Sequence, residues 1–158
     1  MASQIYVQQL FEAQSSTYTY LLADLKAKEA ILIDTVLETV DRDLKLVQEL
    51  GLNLKYVLDT HVHADHVTGA GEIRRRLGTP TVLAKQAHVA CCDIALSDRD
   101  ELKFGKFSIL ALETPGHTDS SLSFVCENMV FTGDALLIRG CGRTDFQGGS
   151  AEKLYDSV

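Results

Sequence analysis

Apolar positions recur along this chain with two different periods, and the changes between them mark out its elements. Residues 5–10, 17–22 and 30–33 alternate, or run continuously, as strands do, and polar turns separate them, so the chain opens as a β-meander. Over residues 39–50 the period becomes helical. Val40, Leu44, Val47 and Leu50 share one face, acids occupy the first turn, and Gly51 stands where a terminating glycine is expected. A buried strand follows at residues 56–58, then a short helix at 72–77 stopped by Gly78, then a strand at 81–84. Residues 107–112 and 129–131 read as further strands. At the C-terminal end Ser150 can cap a helix with Ala151, Leu154, Tyr155 and Val158 along one stripe, and the chain stops inside that helix.

Three of these strands run straight into polar clusters: Asp59-Thr60-His61, Thr114-Pro115-Gly116-His117 and Thr132-Gly133-Asp134. Strand ends along one edge of a sheet hold exposed loops on a rigid frame, which is where α/β folds gather their chemistry. The pattern therefore predicts one assembled site supplied by three strand-end loops.

Composition narrows the class of protein. A chain of 158 residues, 46% hydrophobic and 23% charged, has the make-up of a folded globular protein and buries roughly 70% of its unfolded surface. With only Pro80 and Pro115 and no low-complexity tract, residues 1–158 read as a single domain. No apolar run approaches the ~20 residues of a membrane span. The first seven residues carry neither the basic nor the apolar part of a secretory signal, which points to a reducing, cytoplasmic location. The net charge of -7 and a single basic run, Arg74-Arg75-Arg76, argue against nucleic acid as a partner. Cys91, Cys92, Cys126 and Cys141 include no CxxC pair and form no disulfide framework.

The chemical signal lies at His61-x-His63-x-Asp65-His66, three imidazoles and a carboxylate in six residues. These are the donors preferred by borderline and hard metal ions, and a loop can turn alternate donors toward different positions, so two neighbouring metal sites are open to it. His117 and Asp134 add to the set. His88, on a helix-like stretch after Lys85, reads as an ordinary surface or half-buried residue.

The HxHxDH motif at His61, His63, Asp65 and His66, with His117 and Asp134 downstream, resembles the metallo-β-lactamase superfamily. Residues 132–147 are similar to the persulfide dioxygenases within it, the ethylmalonic encephalopathy protein-like family, and the likeness extends back through Asp34-Thr35-Val36-Leu37-Glu38-Thr39. The resemblance implies a metallo-β-lactamase-like αββα sandwich, here lacking its C-terminal portion. It implies one Fe(II), with zinc as the alternative, held by His61, His117 and Asp134. His63, Asp65 and His66 then stand behind the ligands or mark a second metal position. Two imidazoles and one carboxylate form the facial triad that leaves positions open on non-haem iron, which agrees with that assignment. The implied reaction takes glutathione persulfide, O2 and water to sulfite and glutathione, as part of sulfide oxidation.

An acidic protein that binds acidic glutathione needs a local cation, and Arg139 and Arg143 lie close to Asp134 in sequence. Arg143 is the preferred catalytic and substrate-binding residue, although an internal ion pair with Asp145 is the plainer reading of the same side chain. Cys141, between Gly140 and Gly142, reads as a thiol at the site or as a small residue in a tight loop. Similarity to relatives also brings a homodimer and a rhodanese-type sulfurtransferase partner into view. The rival is a hydroxyacylglutathione hydrolase of glyoxalase II type. There His61, His63, His117 and Asp134 would hold one zinc and Asp65, His66 and Asp134 another, and metal-bound hydroxide would attack a thioester. That second zinc normally takes one more histidine from a later strand, and none follows before Val158.

Overall fold

The computed structural model describes residues 4–158; residues 1–3, part of the segment read above for targeting, lie outside the described residues. Two sheets carry ten strands. The six-stranded sheet has the order β1 (Tyr6–Glu12), β2 (Thr17–Asp24), β3 (Glu29–Ile33), β4 (Asn53–Leu58), β5 (Thr81–Ala84), β6 (Ile94–Leu96). The four-stranded sheet has β7 (Glu101–Phe104), β8 (Phe107–Glu113), β9 (Leu122–Cys126) and β10 (Met129–Phe131) side by side in that order. Three helices accompany them: α1 (Val40–Glu49), α2 (Ala70–Leu77) and α3 (Ala151–Ser157). By their contacts the residues form two compact units.

Among the described residues the first unit holds 4–59, 63–82 and 103–107. Its strands β1, β2 and β3 pair antiparallel, as the meander pattern predicts, whereas β3, β4 and β5 are parallel and their connections run through α1 and α2. Parallel strands need such crossovers, and the strands they join are buried on both faces. That is why residues 30–33 read as a continuous apolar run: Ala30, Ile31, Leu32 and Ile33 have no exposed surface at all. Leu21, Leu32 and Val57 from the sheet pack with Val40 and Val47 of α1 and Ile73 of α2 in one core cluster. Helix α2 ends at Gly78, whose φ of +71° lets its N–H turn back to the Arg74 carbonyl, the left-handed cap that favours glycine.

The second unit holds residues 60–62, 83–102 and 108–158. Within it β8, β9 and β10 pair antiparallel and bury Ile109, Ala111, Leu122, Phe124 and Phe131. The apolar pattern does not mark β6, β7 and β9, because β6 spans three residues, β7 buries only Phe104 and β9 interrupts its apolar run with Ser123. Helix α3 begins where the sequence places it, with Ser150 Oγ accepting the Lys153 N–H. Its predicted apolar stripe is only partly used, since Leu154 is buried while Tyr155 is 85% exposed.

The three polar clusters do follow β4, β8 and β10, yet not from one sheet. β4 belongs to the six-stranded sheet and β8 and β10 to the four-stranded one. The expectation of a single sheet edge is corrected accordingly. What carries residues 60–62 into the second unit is a hydrogen bond from the Leu122 N–H, at the start of β9, to the Thr60 carbonyl at 2.7 Å.

Candidate metal centre

His61, His117 and Asp134 come together inside the second unit, with one donor atom from each lying within 4.8 Å of the others. His61 is buried; His117 keeps 11% of its side chain exposed and Asp134 47%, so the set opens toward solvent on the carboxylate side. The imidazole rings of His61 and His117 meet edge to face, 4.8 Å between centroids and 89° between planes. His117 Nε2 stands 3.5 Å from Asp134 Oδ2. Two imidazoles and a carboxylate that converge in this way are a donor set suited to a divalent transition metal.

Each of the three side chains is fixed by a local device. Thr60 Oγ1 lies 3.0 Å from His61 Nδ1, and the Arg143 carbonyl lies 2.8 Å from His117 Nδ1. A carbonyl can only accept, so His117 carries a proton on Nδ1 and turns Nε2 toward Asp134. Asp134 occupies a turn closed by the Ala135 N–H on the Thr132 carbonyl. That turn needs Gly133, whose φ is +49° and where a Cβ would stand 2.3 Å from Thr60 Oγ1. His117 sits in a loop clasped by α3: the Ser150 N–H donates to the Gly116 carbonyl at 2.8 Å, and Ser157 Oγ donates to the Pro115 carbonyl at 2.8 Å.

His63, Asp65 and His66 form a separate cluster in the first unit. His63 Nε2 lies 3.1 Å from Asp34 Oδ1, and its ring stacks on His66 at 4.3 Å. His66 Nδ1 is shared between Asp65 Oδ2 at 3.2 Å and Thr17 Oγ1 at 3.3 Å. Burial works against a charge on His63, but its hydrogen bond to Asp34 and the charges of Asp34, Asp59 and Asp65 outweigh it and hold the imidazole above its ordinary range. Burial also raises the carboxyl of Asp59, whose oxygens receive the Thr68 hydroxyl.

Asp34 and Asp59 are the polar residues whose role the pattern of residues did not disclose. Asp34 ends the buried run of β3 in a left-handed conformation, φ +53°, and is itself 5% exposed. A buried aspartate directly after four apolar residues is the signal that could have marked it.

A groove in the same unit has a volume of about 570 Å³ and is lined by Leu136, Cys141, Arg143, Leu154 and Tyr155 among others. Arg143 is exposed and grips Asp145 with two parallel bonds, Nε to Oδ1 at 2.7 Å and Nη2 to Oδ2 at 3.0 Å. Those bonds hold the Asp145 carboxyl below its ordinary range. The guanidinium also lies 5.7 Å from the centre of the Phe146 ring. Arg139 is exposed and makes no ion pair among the described residues, and Cys141 is an exposed free thiol. His88 takes a left-handed conformation after a short 3-10 turn and joins none of the donor clusters found among the described residues. Among those residues no helix is long and apolar enough to cross a membrane.

Residues 14–158 match the family model of the metallo-beta-lactamase superfamily. The chain is 52% identical over 157 residues to the mitochondrial persulfide dioxygenase ETHE1 of Bos taurus and 50% identical to that of Homo sapiens, in each case covering 98% of this chain. It spans 61% of the length of those relatives. The crystal structure of ETHE1 from Myxococcus xanthus superimposes with a TM-score of 0.93 at 51% identity, covering 96% of this chain and 67% of that one.

Proposed function

Because the chain belongs to the metallo-beta-lactamase superfamily, we propose that it serves as a persulfide dioxygenase, oxidising glutathione persulfide with O2 to sulfite and glutathione in sulfide oxidation. The observation that carries this reading is the composition of the donor set. Among the described residues it comprises His61, His117 and Asp134, while His63 Nε2 is engaged by Asp34. A hydrolase of glyoxalase II type asks His63 to join that set, and His63 is not among the three donors that converge. The half-identical relatives, which carry the name persulfide dioxygenase, support the same choice.

In this proposal His61, His117 and Asp134 hold one Fe(II). Held by two imidazoles and one carboxylate, such an ion would supply redox chemistry toward O2 and sulfur. The chain's own residues do the rest. The partners of the two Nδ1 atoms orient the imidazoles and leave each Nε2 to the metal. Arg143 holds its Nε and Nη2 edge on Asp145, which leaves the Nη1 edge to take a carboxylate of the tripeptide. In a chain of net charge -7, that cation offsets repulsion of an acidic substrate. Leu136, Leu154 and Tyr155 give the groove its apolar wall.

The test is oxygen uptake on adding glutathione persulfide to anaerobically Fe(II)-loaded protein, with the zinc-loaded form as control. Uptake with iron and none with zinc is expected. Hydrolysis of a glutathione thioester by the zinc form, with no uptake by the iron form, would overturn the proposal.

A further inference from the structure

We propose that Gly142, with the carbonyl of Arg143, forms a main-chain bracket that sets the positions of His117 and Asp134, so that Gly142 is a positioning residue that admits no side chain. The inference rests on the reading of His61, His117 and Asp134 as a metal centre.

Two consecutive residues grip two different ligands. The Gly142 N–H donates to the Asp134 carbonyl at 2.7 Å, and the Arg143 carbonyl accepts from His117 Nδ1 at 2.8 Å. The first bond anchors the backbone that presents the carboxylate; the second fixes the tautomer and tilt of the imidazole. Between them there is no room. A Cβ on residue 142 would stand 2.4 Å from the Asp134 carbonyl oxygen, 2.6 Å from His117 Nδ1 and 2.9 Å from Asp134 Cβ. None of these atoms is the end of a flexible side chain, so any added carbon is accommodated only by moving a ligand.

The need for glycine here is spatial. Gly116, Gly133 and Gly148 adopt positive φ, and Gly142 does not. Gly140 supplies the contrast: it sits two residues away in the same loop, also without positive φ, and a Cβ there would meet nothing within 4 Å. The two glycines flanking Cys141 thus differ in one respect, their distance from the ligands.

Zinc titration against a chromophoric chelator, with circular dichroism to confirm folding, tests the bracket on wild type, Gly142→Ala, Gly140→Ala and Arg143→Ala. Gly142→Ala is expected to weaken zinc binding ~10- to 100-fold, the usual effect of disturbing groups that orient metal ligands. Gly140→Ala and Arg143→Ala, which leave both main-chain bonds intact, should stay within about twofold of wild type. Wild-type affinity in Gly142→Ala overturns the bracket, and so does a tenfold loss in Arg143→Ala. Should wild type bind no zinc, the metal-centre reading itself falls and takes the bracket with it, a result distinct from binding by wild type and Gly142→Ala alike. If Gly142→Ala does not fold, imidazole nitrogen NMR of zinc-loaded wild type decides. A His117 Nδ1 proton protected from exchange supports the bracket, and an Nε2–H tautomer or rapid exchange overturns it.

Discussion

His117 Nδ1 lies 2.8 Å from the main-chain oxygen of Arg143, 26 residues further along the chain. One residue thus acts twice: its carbonyl holds an imidazole, and its guanidinium, paired with Asp145, lines the groove. The two roles are separable by mutation because only one of them depends on the side chain.

Arg143→Ala should therefore raise KM for an acidic persulfide about tenfold, the loss of one charge-assisted contact, and leave the metal content unchanged. Arg143→Lys should recover little, since an ammonium cannot hold Asp145 with one edge and offer another. Steady-state kinetics alongside metal analysis would show it; a variant that loses metal together with affinity contradicts the division.

Elemental analysis of four alanine variants sorts the histidines. His61→Ala, His117→Ala and Asp134→Ala should each empty the site, while His63→Ala keeps most of its metal. The cost of His63→Ala appears in stability instead, about 1–3 kcal/mol, because the buried Asp34 carboxylate loses this charge-assisted hydrogen bond. Loss of metal in His63→Ala as complete as in His117→Ala would return the hydrolase reading.

Thr60 is a small residue with a large expected effect. Thr60→Val keeps the shape against Gly133 and removes the hydroxyl 3.0 Å from His61 Nδ1. Metal affinity should fall by about 10-fold or more, and Thr60→Ser should restore it. Equal affinity in Thr60→Val and wild type would show that His61 needs no such hold.

A pH dependence follows from α2, away from the donor clusters. Hydrogen bonds from Arg75 and then Arg76 lower the Glu72 carboxyl from its ordinary 4.5 to about 2. The folded value lies below the unfolded one, so the ionised form stabilises the protein above pH 4.5 and that contribution disappears as pH falls toward 2. Thermal unfolding of Glu72→Gln across this window should show a shallower loss of stability on acidification than wild type. Identical pH slopes would mean that the exposed pairs contribute nothing measurable.

The sequence by itself determined the elements whose signal is local. The periods of residues 39–50 and 81–84, the stop at Gly78 and the Ser150 cap all depend on neighbours a few residues away, and the structure places them within a residue or two. Through its resemblance to the persulfide dioxygenases it also implied His61, His117 and Asp134 as a set. Only the tertiary structure decided which donors share a site. His61 and His63 are two residues apart, yet Thr60 holds one and Asp34, 29 residues earlier, holds the other. Residues two apart in an extended strand would share a side, but the chain bends at residues 60 and 61, and which groups each imidazole meets depends on chain brought there from far away. The roles of Asp34, Asp59 and Gly142 were hidden for the same reason. A buried carboxylate shows its partner, and a crowded glycine its neighbours, only after residues distant in sequence have packed against them.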